Sequence, residues 1–314
     1  MCYHRILPAQ FKARYFVPDL VVTPEAFRHH CRILKQCFDT RPLGEALDIL
    51  QNGNRNSRPL AAITFDDGYQ DNFRFAVPIL NEVDLRATFF VISNLIGTSK
   101  RPWYDELAHL VSESESFAMA LNWLNRNHFT SNSSHQLDAQ GIVALAKKLG
   151  TDNRRELIEQ LSEGRSEAVR TDDCIVTSQQ MHAMQSAGHE IGSHSSTHEI
   201  LTQLDDASLA HEVAGSRRQI EELLGRSIRL FCYPNGDTDD RVVEAVRSAG
   251  YTHAVTTESG ANLVSQDRFR LRRSFIHEDR LSGLNGKPSD SLLRMEVLGL
   301  TDRIFRRRQR MAPA

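Results

Sequence analysis

The chain has 314 residues, 40% of them apolar and 25% charged, proportions that exclude an intrinsically disordered or fibrous protein. A formal net charge of -2 gives no global field to attract nucleic acid or an acidic polymer, so partners have to be argued from local sites. The five cysteines, Cys2, Cys31, Cys37, Cys174 and Cys232, include no CxxC pair and fall short of the density of a disulfide scaffold.

Residues 60–65 form a short apolar run into Asp66-Asp67-Gly68, which predicts a buried strand ending in a turn. A helical pattern through Phe73, Val77, Ile79 and Leu80 follows, then an apolar strand at 87–92, completing one βαβ unit. The stretch from about 103 to 175 shows helical spacing in pieces, at 107–110, 142–149 and 157–161, around a polar middle at 125–140; it reads as an insertion. Thr177 and Gln180 make a capping box, and Gly188 suits the end of that helix. Beyond it the spacing predicts a strand at 190–193, a helix at about 207–224 closed by Gly225, and a strand at 228–233. A helix at 239–248 closed by Gly250 and a strand at 253–257 complete the alternation. Such alternation predicts an α/β fold on a parallel sheet or barrel.

The segment 288–314 spaces Leu292, Leu293, Val297, Leu300, Ile304 and Phe305 helically, with Arg303, Arg306, Arg307, Arg308 and Arg310 clustered at its end. It reads either as a helix packed on the barrel with a solvated basic end or as a peripheral contact with the inner membrane. The aromatic interleaving of a nucleic-acid groove is missing. The start, Met1-Cys2-Tyr3-His4-Arg5, lacks the pattern of a secretory signal, which sets the expectation of a cytoplasmic protein.

Three motifs fall at predicted strand ends, where α/β sheets and barrels gather their active sites. They are Thr64-Phe65-Asp66-Asp67-Gly68, His194-Ser195-Ser196-Thr197-His198 and Phe231-Cys232-Tyr233-Pro234-Asn235-Gly236. Two histidines four apart beyond a strand bring both imidazoles to one ion, and a carboxylate completes the three-ligand set of an open catalytic zinc site. A metal lowers the pKa of bound water from about 16 toward roughly 7, so a nearby carboxylate finishes the deprotonation. Asp66 and Asp67 offer one carboxylate for each task. Adjacent strand residues point to opposite faces, so the turn at Gly68 has to bring one round if both serve one ion. Alone, Asp-Asp-Gly is usually a turn and a histidine pair is usually a solvated surface; their joint place at strand ends points to chemistry. His189-Glu190 opens like a zincin helix, but the next histidine is His194, five residues on instead of four, which excludes that geometry.

These motifs resemble the leading motifs of the polysaccharide deacetylases, also called the NodB-homology family or carbohydrate esterase family four. The resemblance extends to Tyr3-His4-Arg5, to Ala87-Thr88-Phe89-Phe90, to the run from Gly188 to His194 and to Ala249-Gly250-Tyr251, so it covers nearly the whole chain. It implies a distorted (β/α)7 barrel with a helical insertion, all one domain. Position by position it implies Asp66 as catalytic base and Asp67, His194 and His198 as ligands of one divalent metal, with zinc the default and cobalt, manganese or nickel the alternatives. The implied activity is removal of N-acetyl groups from GlcNAc-type amino sugars of a polysaccharide or lipid-linked saccharide.

A backbone N–H at Asn235 then serves with the metal as oxyanion donor. Two histidines compete to protonate the leaving amine: His4, in a Tyr-His-Arg run like that of exopolysaccharide deacetylases, is preferred, and His277 is the alternative. The chain has Cys232 where many relatives carry Arg in the third motif, while Arg273 falls where relatives carry an Arg near the base. Trp103, Tyr104 and Tyr233 are candidates for a sugar-binding surface, because aromatic faces pack on apolar sugar faces; their plainer reading is core. Three rivals stay open: an amino-sugar deformylase, a catalytically silent saccharide-binding barrel, and an iron oxygenase built on the same ligands.

Overall fold

Strands buried on both faces read as apolar runs instead of alternating ones, and that pattern locates most of the central strands of the computed structural model. The structure describes residues 1–53, 57–127, 137–163, 171–283, 286 and 288–300. In chain order the strands are β1 (Cys2–Tyr3), β2 (Arg5–Ile6), β3 (Val21–Val22), β4 (Asp39–Arg41), β5 (Leu60–Ala62), β6 (Thr64–Phe65), β7 (Thr88–Val91), β8 (Glu190–Ser193), β9 (Leu230–Cys232) and β10 (His253–Val255). The main sheet has the order β1-β6-β7-β8-β9-β10, with every pair parallel. Segment 271–275 then bridges both edges: Leu271 pairs with Val255 and Phe275 with Cys2, each in parallel sense. Thr256 N–H donates to Leu271 O and Cys2 N–H to Ser274 O, both at 2.8 Å. The curled sheet is thereby a distorted (β/α)7 barrel, as the resemblance implies.

The core between the sheet and its helices is aromatic. Phe65 and Phe89 stack with centroids 4.7 Å apart, and Tyr3, Phe27 and Phe231 join the same core. Each such ring contributes roughly 1.5–3 kcal/mol by leaving water.

Three local features differ from the sequence reading. The expected strand at 60–65 is two strands, because the chain changes partners at the buried Ile63: β5 pairs with β4, whereas β6 pairs with β1 and β7. The expected helices at 73–80 and 207–224 each contain a π-helical turn, at Asn72–Ala76 and His211–Gly215. The N-terminal part, left without elements by the sequence, supplies β1 and the helix Pro24–Cys37, which Thr23 caps by accepting from Ala26 N–H.

The insertion forms helices Trp103–Leu110, Ser114–Arg126, Ala139–Ala146 and Thr151–Ser162 around a hydrophobic cluster of their own that includes Leu107, Trp123, Ile142 and Leu157. Part of its polar middle lies outside the described residues. The helix Asp290–Val297 packs on the barrel through the fully buried Leu293, and Leu292 and Val297 lie against the same core. The rest of the tail, including Ile304, Phe305 and the arginine cluster, lies outside the described residues. No helix among the described residues is long and apolar enough to cross a membrane.

Candidate active site

The first motif leaves β6 at Phe65, and Asp66 N–H donates to Tyr3 O at 3.0 Å. Continued strand geometry would send the two carboxylates to opposite faces. Instead Asp67 itself takes a left-handed conformation, φ 70°, followed by Gly68 at φ 76°, and both carboxylates reach one cavity. The reorientation expected of Gly68 thus begins one residue earlier, at a cost of about 1–2 kcal/mol for a non-glycine residue. Gly68 is required next to it, since a Cβ there would meet Val91 Cγ1 at 2.6 Å.

The second motif follows β8. His194 N–H still pairs with Val91 O at 2.9 Å, and the loop beyond it bends through left-handed Ser195 and His198, at φ 64° and 63°. Glu212, presented by the π-helical turn, fixes this loop: it accepts from the N–H groups of Ser196 and Thr197 at 3.0 and 2.9 Å and from Thr197 Oγ1 at 2.6 Å. Strain held by surrounding hydrogen bonds is a recurrent mark of functional sites.

Asp67 Oδ1 lies 3.5 Å from His194 Nε2 and 3.6 Å from His198 Nε2. Tetrahedral bonds of about 2.0–2.1 Å place ligand atoms roughly 3.4 Å apart, so this donor set fits one divalent cation. His194 Nδ1 donates to Cys232 O at 2.9 Å, which leaves Nε2 as the lone-pair nitrogen facing Asp67. Burial pushes both imidazoles down, His198 furthest, and keeps them in the neutral form that binds metal. Burial and the adjacent Asp66 charge push Asp67 up to about 8. A buried carboxyl in that position calls for a positive partner.

Asp66 has its own. Arg273 donates to Asp66 Oδ1 through Nη1 at 2.6 Å and to Oδ2 through Nη2 at 2.7 Å. Burial pushes the Asp66 carboxyl up, but the Arg273 charge and its two hydrogen bonds outweigh this and hold it well below the usual carboxylate range. Arg273 sits on the segment that closes the barrel, and its Nη2 also donates to Cys232 Sγ at 3.2 Å. The guanidinium beside Asp66 is thus supplied from position 273 and lies against Cys232.

The two candidate acids are placed differently. His4 lines the cavity with Nε2 4.0 Å from Asp66 Oδ2, and burial pushes it down to about 4 against the pull of Asp66. His277 is not among the cavity-lining residues; its Nδ1 donates to Asp19 O at 3.2 Å and its ring stacks on Phe275. Asn235 lines the cavity in a left-handed conformation, φ 58°, and its N–H has no acceptor among the described residues.

Of the aromatic candidates, only Tyr104 presents its ring to the metal-ligand cluster, edge-on to His198 at 4.9 Å. Trp103 is not among the lining residues: its Nε1 donates to His198 O at 3.0 Å, which ties the second-motif loop to the insertion. Tyr233 borders the cavity, but it is 1% exposed and donates its hydroxyl to Phe269 O at 2.9 Å; its side chain belongs to the core. Sequence reasoning missed Glu212 and also Asn72, whose Nδ2 donates to His4 O at 2.8 Å. Both sit in the π-helical turns, where one extra residue breaks the helical period that the sequence displays.

Barrel hydrolases collect their chemistry beyond the strand C-termini, and that is the class this frame defines. A family model described as Polysaccharide deacetylase matches residues 53–254, and the chain belongs to that family. It is 23% identical over 256 residues to YxkH of Bacillus subtilis (strain 168), a protein carrying the polysaccharide-deacetylase name; the match covers 81% of this chain and 65% of that relative's length. In fold it is similar to the Streptococcus pyogenes deacetylase PplD, with a TM-score of 0.63, 18% identity and coverage of 95% of this chain and 96% of that one. It is also similar to IcaB from Ammonifex degensii, with a TM-score of 0.57, 17% identity and 95% coverage of each chain.

Proposed function

We propose that the chain is a divalent-metal-dependent hydrolase that removes N-acetyl groups from GlcNAc-type amino sugars of a polysaccharide or lipid-linked saccharide, releasing acetate. The observation that carries this reading is the meeting of two differently treated carboxylates in one cavity of about 370 Å³. Asp67 faces the two imidazoles at ion-sharing distance, and Asp66 is kept ionised by a bidentate arginine.

Asp67, His194 and His198 would hold the metal, with zinc the default ion. A divalent ion bound there supplies Lewis acidity toward the acyl carbonyl and lowers the pKa of a water toward about 7. Asp66 takes the proton of the attacking water on a carboxylate oxygen that Arg273 keeps in place. The Asn235 N–H, which has no acceptor among the described residues, stabilises the negative charge that develops on the carbonyl oxygen. His4 Nε2 then protonates the departing nitrogen. Because His4 is pushed down to about 4, it is neutral at rest and has to gain its proton during turnover. Asp66 Oδ2, 4.0 Å away, is placed to hand on the proton it has taken.

The test is metal content of the purified chain together with acetate release from N-acetylglucosamine oligomers, before and after chelation, for the wild type and His194→Ala. One bound ion and chelator-sensitive release that the substitution abolishes are expected. Release that survives both chelation and the substitution would overturn the metal-dependent reading. Metal without acetate would favour the deformylase or a lipid-linked substrate.

A further inference from the structure

The insertion reaches into the site through Tyr104 and again through the end of its third helix, Ala139–Ala146. Helix Ala139–Ala146 ends at Lys147, whose backbone is held from both sides: its N–H donates to Val143 O at 3.0 Å, and Gln203 Nε2 donates to its O at 2.9 Å. Arg154, 2% exposed, secures the same helix end. It donates to Leu149 O at 3.2 Å, stacks over Trp103 at 4.5 Å and pairs with Glu199, the residue after His198. From this anchored position the Lys147 side chain crosses to the third motif, where Nζ donates to Asn235 Oδ1 at 2.7 Å. Asn235 Nδ2 donates in turn to Asp237 Oδ2 at 2.7 Å, so the Asn235 side chain is held at both ends.

Lys147 and Asn235 line the same cavity as Asp67 and His198. An ammonium has three N–H donors; Asn235 takes one of them, and the Asp237 and Asp67 carboxylates act on the Lys147 charge without a hydrogen bond to it among the described residues. A lysine serving only solubility would keep its head in bulk water. This one is half-buried beside a turn whose own N–H has no acceptor among the described residues.

Acyl transfer builds negative charge on the carbonyl oxygen, and fixed donors and charges act strongly on it in a water-poor cavity. We infer that Lys147 is a positioning residue of the oxyanion side of this site: it holds the Asn235 turn in place and brings a cation to that wall of the cavity. The inference rests on the deacetylase reading for the identity of the oxyanion. It gives helix Ala139–Ala146 of the insertion a task in the active site, for without that helix nothing carries the lysine to Asn235.

The test titrates acetate, the carboxylate product, into the metal-loaded full chain by calorimetry, and measures kcat and KM on N-acetylglucosamine oligomers. Lys147→Met should weaken acetate binding about tenfold or more and lower kcat about ten- to hundredfold, with KM moving less than about threefold. Lys147→Arg should recover most of both, because it restores the charge and a donor. A Lys147→Met protein that binds acetate and turns over like the wild type overturns the inference and leaves the deacetylase reading standing. A wild type that binds acetate through Lys147 yet releases none from any oligomer overturns the deacetylase reading and leaves the lysine's role standing. Should Lys147→Met fold poorly, Asn235→Ala is the second variant. It should show the same loss of acetate affinity, and normal affinity there overturns the inference.

Discussion

Replacing Arg273 by Met tests the electrostatic account of the base. Both side chains of the Arg273–Asp66 pair are 3% exposed, so the substitution strands a carboxylate in the interior instead of releasing it to water. Breaking a buried pair in this way costs about 3–5 kcal/mol, and hydrogen bonds from Arg273 to Thr64 Oγ1 and Thr256 O, each 3.0 Å, are lost with it. The pH dependence has a definite sign. In the wild type the depressed Asp66 pKa stabilises the fold above the unfolded value of about 4, and that contribution is lost only as pH falls through the lower folded value. Without the arginine charge burial dominates, the Asp66 pKa rises, and ionising Asp66 destabilises the fold as pH climbs past about 4. Urea unfolding near pH 7 should place Arg273→Met about 3–5 kcal/mol below the wild type, with the deficit narrowing toward pH 4. The acid limb of kcat/KM should move to higher pH. A deficit below about 1 kcal/mol near pH 7, or one that does not change with pH, would refute the reasoning.

Asp66→Asn should lower acetate release by a factor of about 100–10,000 while the protein still retains its metal, as elemental analysis would check; turnover equal to the wild type removes Asp66 as base. His4→Ala should reduce kcat by a similar factor, whereas His277→Ala, whose ring is turned to Asp19 O, should stay within about twofold; the reverse ranking exchanges the two roles. Glu212→Gln keeps the shape but swaps one acceptor oxygen for a donor facing the second-motif loop. It should cost about 1–3 kcal/mol in thermal or urea unfolding and weaken metal retention, and a fully stable variant with unchanged metal content would show that the loop holds itself.

What the sequence displayed well were the elements with a period. β7, β8, β9 and β10 lie within their expected ranges, and the capping box of Thr177 and Gln180 is present as two reciprocal hydrogen bonds. β1 escaped because two residues carry no periodicity. The chemistry-bearing motifs were legible because they are local in sequence, whereas the groups that hold them were not. Arg273 reaches Asp66 across 207 positions; no spacing rule links two residues that meet only when a barrel closes, and only the family resemblance placed it near the base. Lys147 was hidden for a different reason: it ends an ordinary-looking helix of the insertion, and only tertiary docking through Arg154 and Gln203 turns that helix end toward Asn235. Trp103 was picked out as aromatic and placed on the substrate, but its indole N–H serves the backbone of His198, a role that residue type alone does not announce.

The arginine that holds the base sits on the segment bridged to both edges of the sheet. The last stave that makes the barrel whole therefore also arms it. A chain in which the first six staves have assembled but 271–275 has not docked could already gather Asp67, His194 and His198, yet Asp66 would lack the charge that does most to keep it ionised in the interior. On the proposed mechanism, competence for hydrolysis therefore waits on the closing of the barrel by segment 271–275.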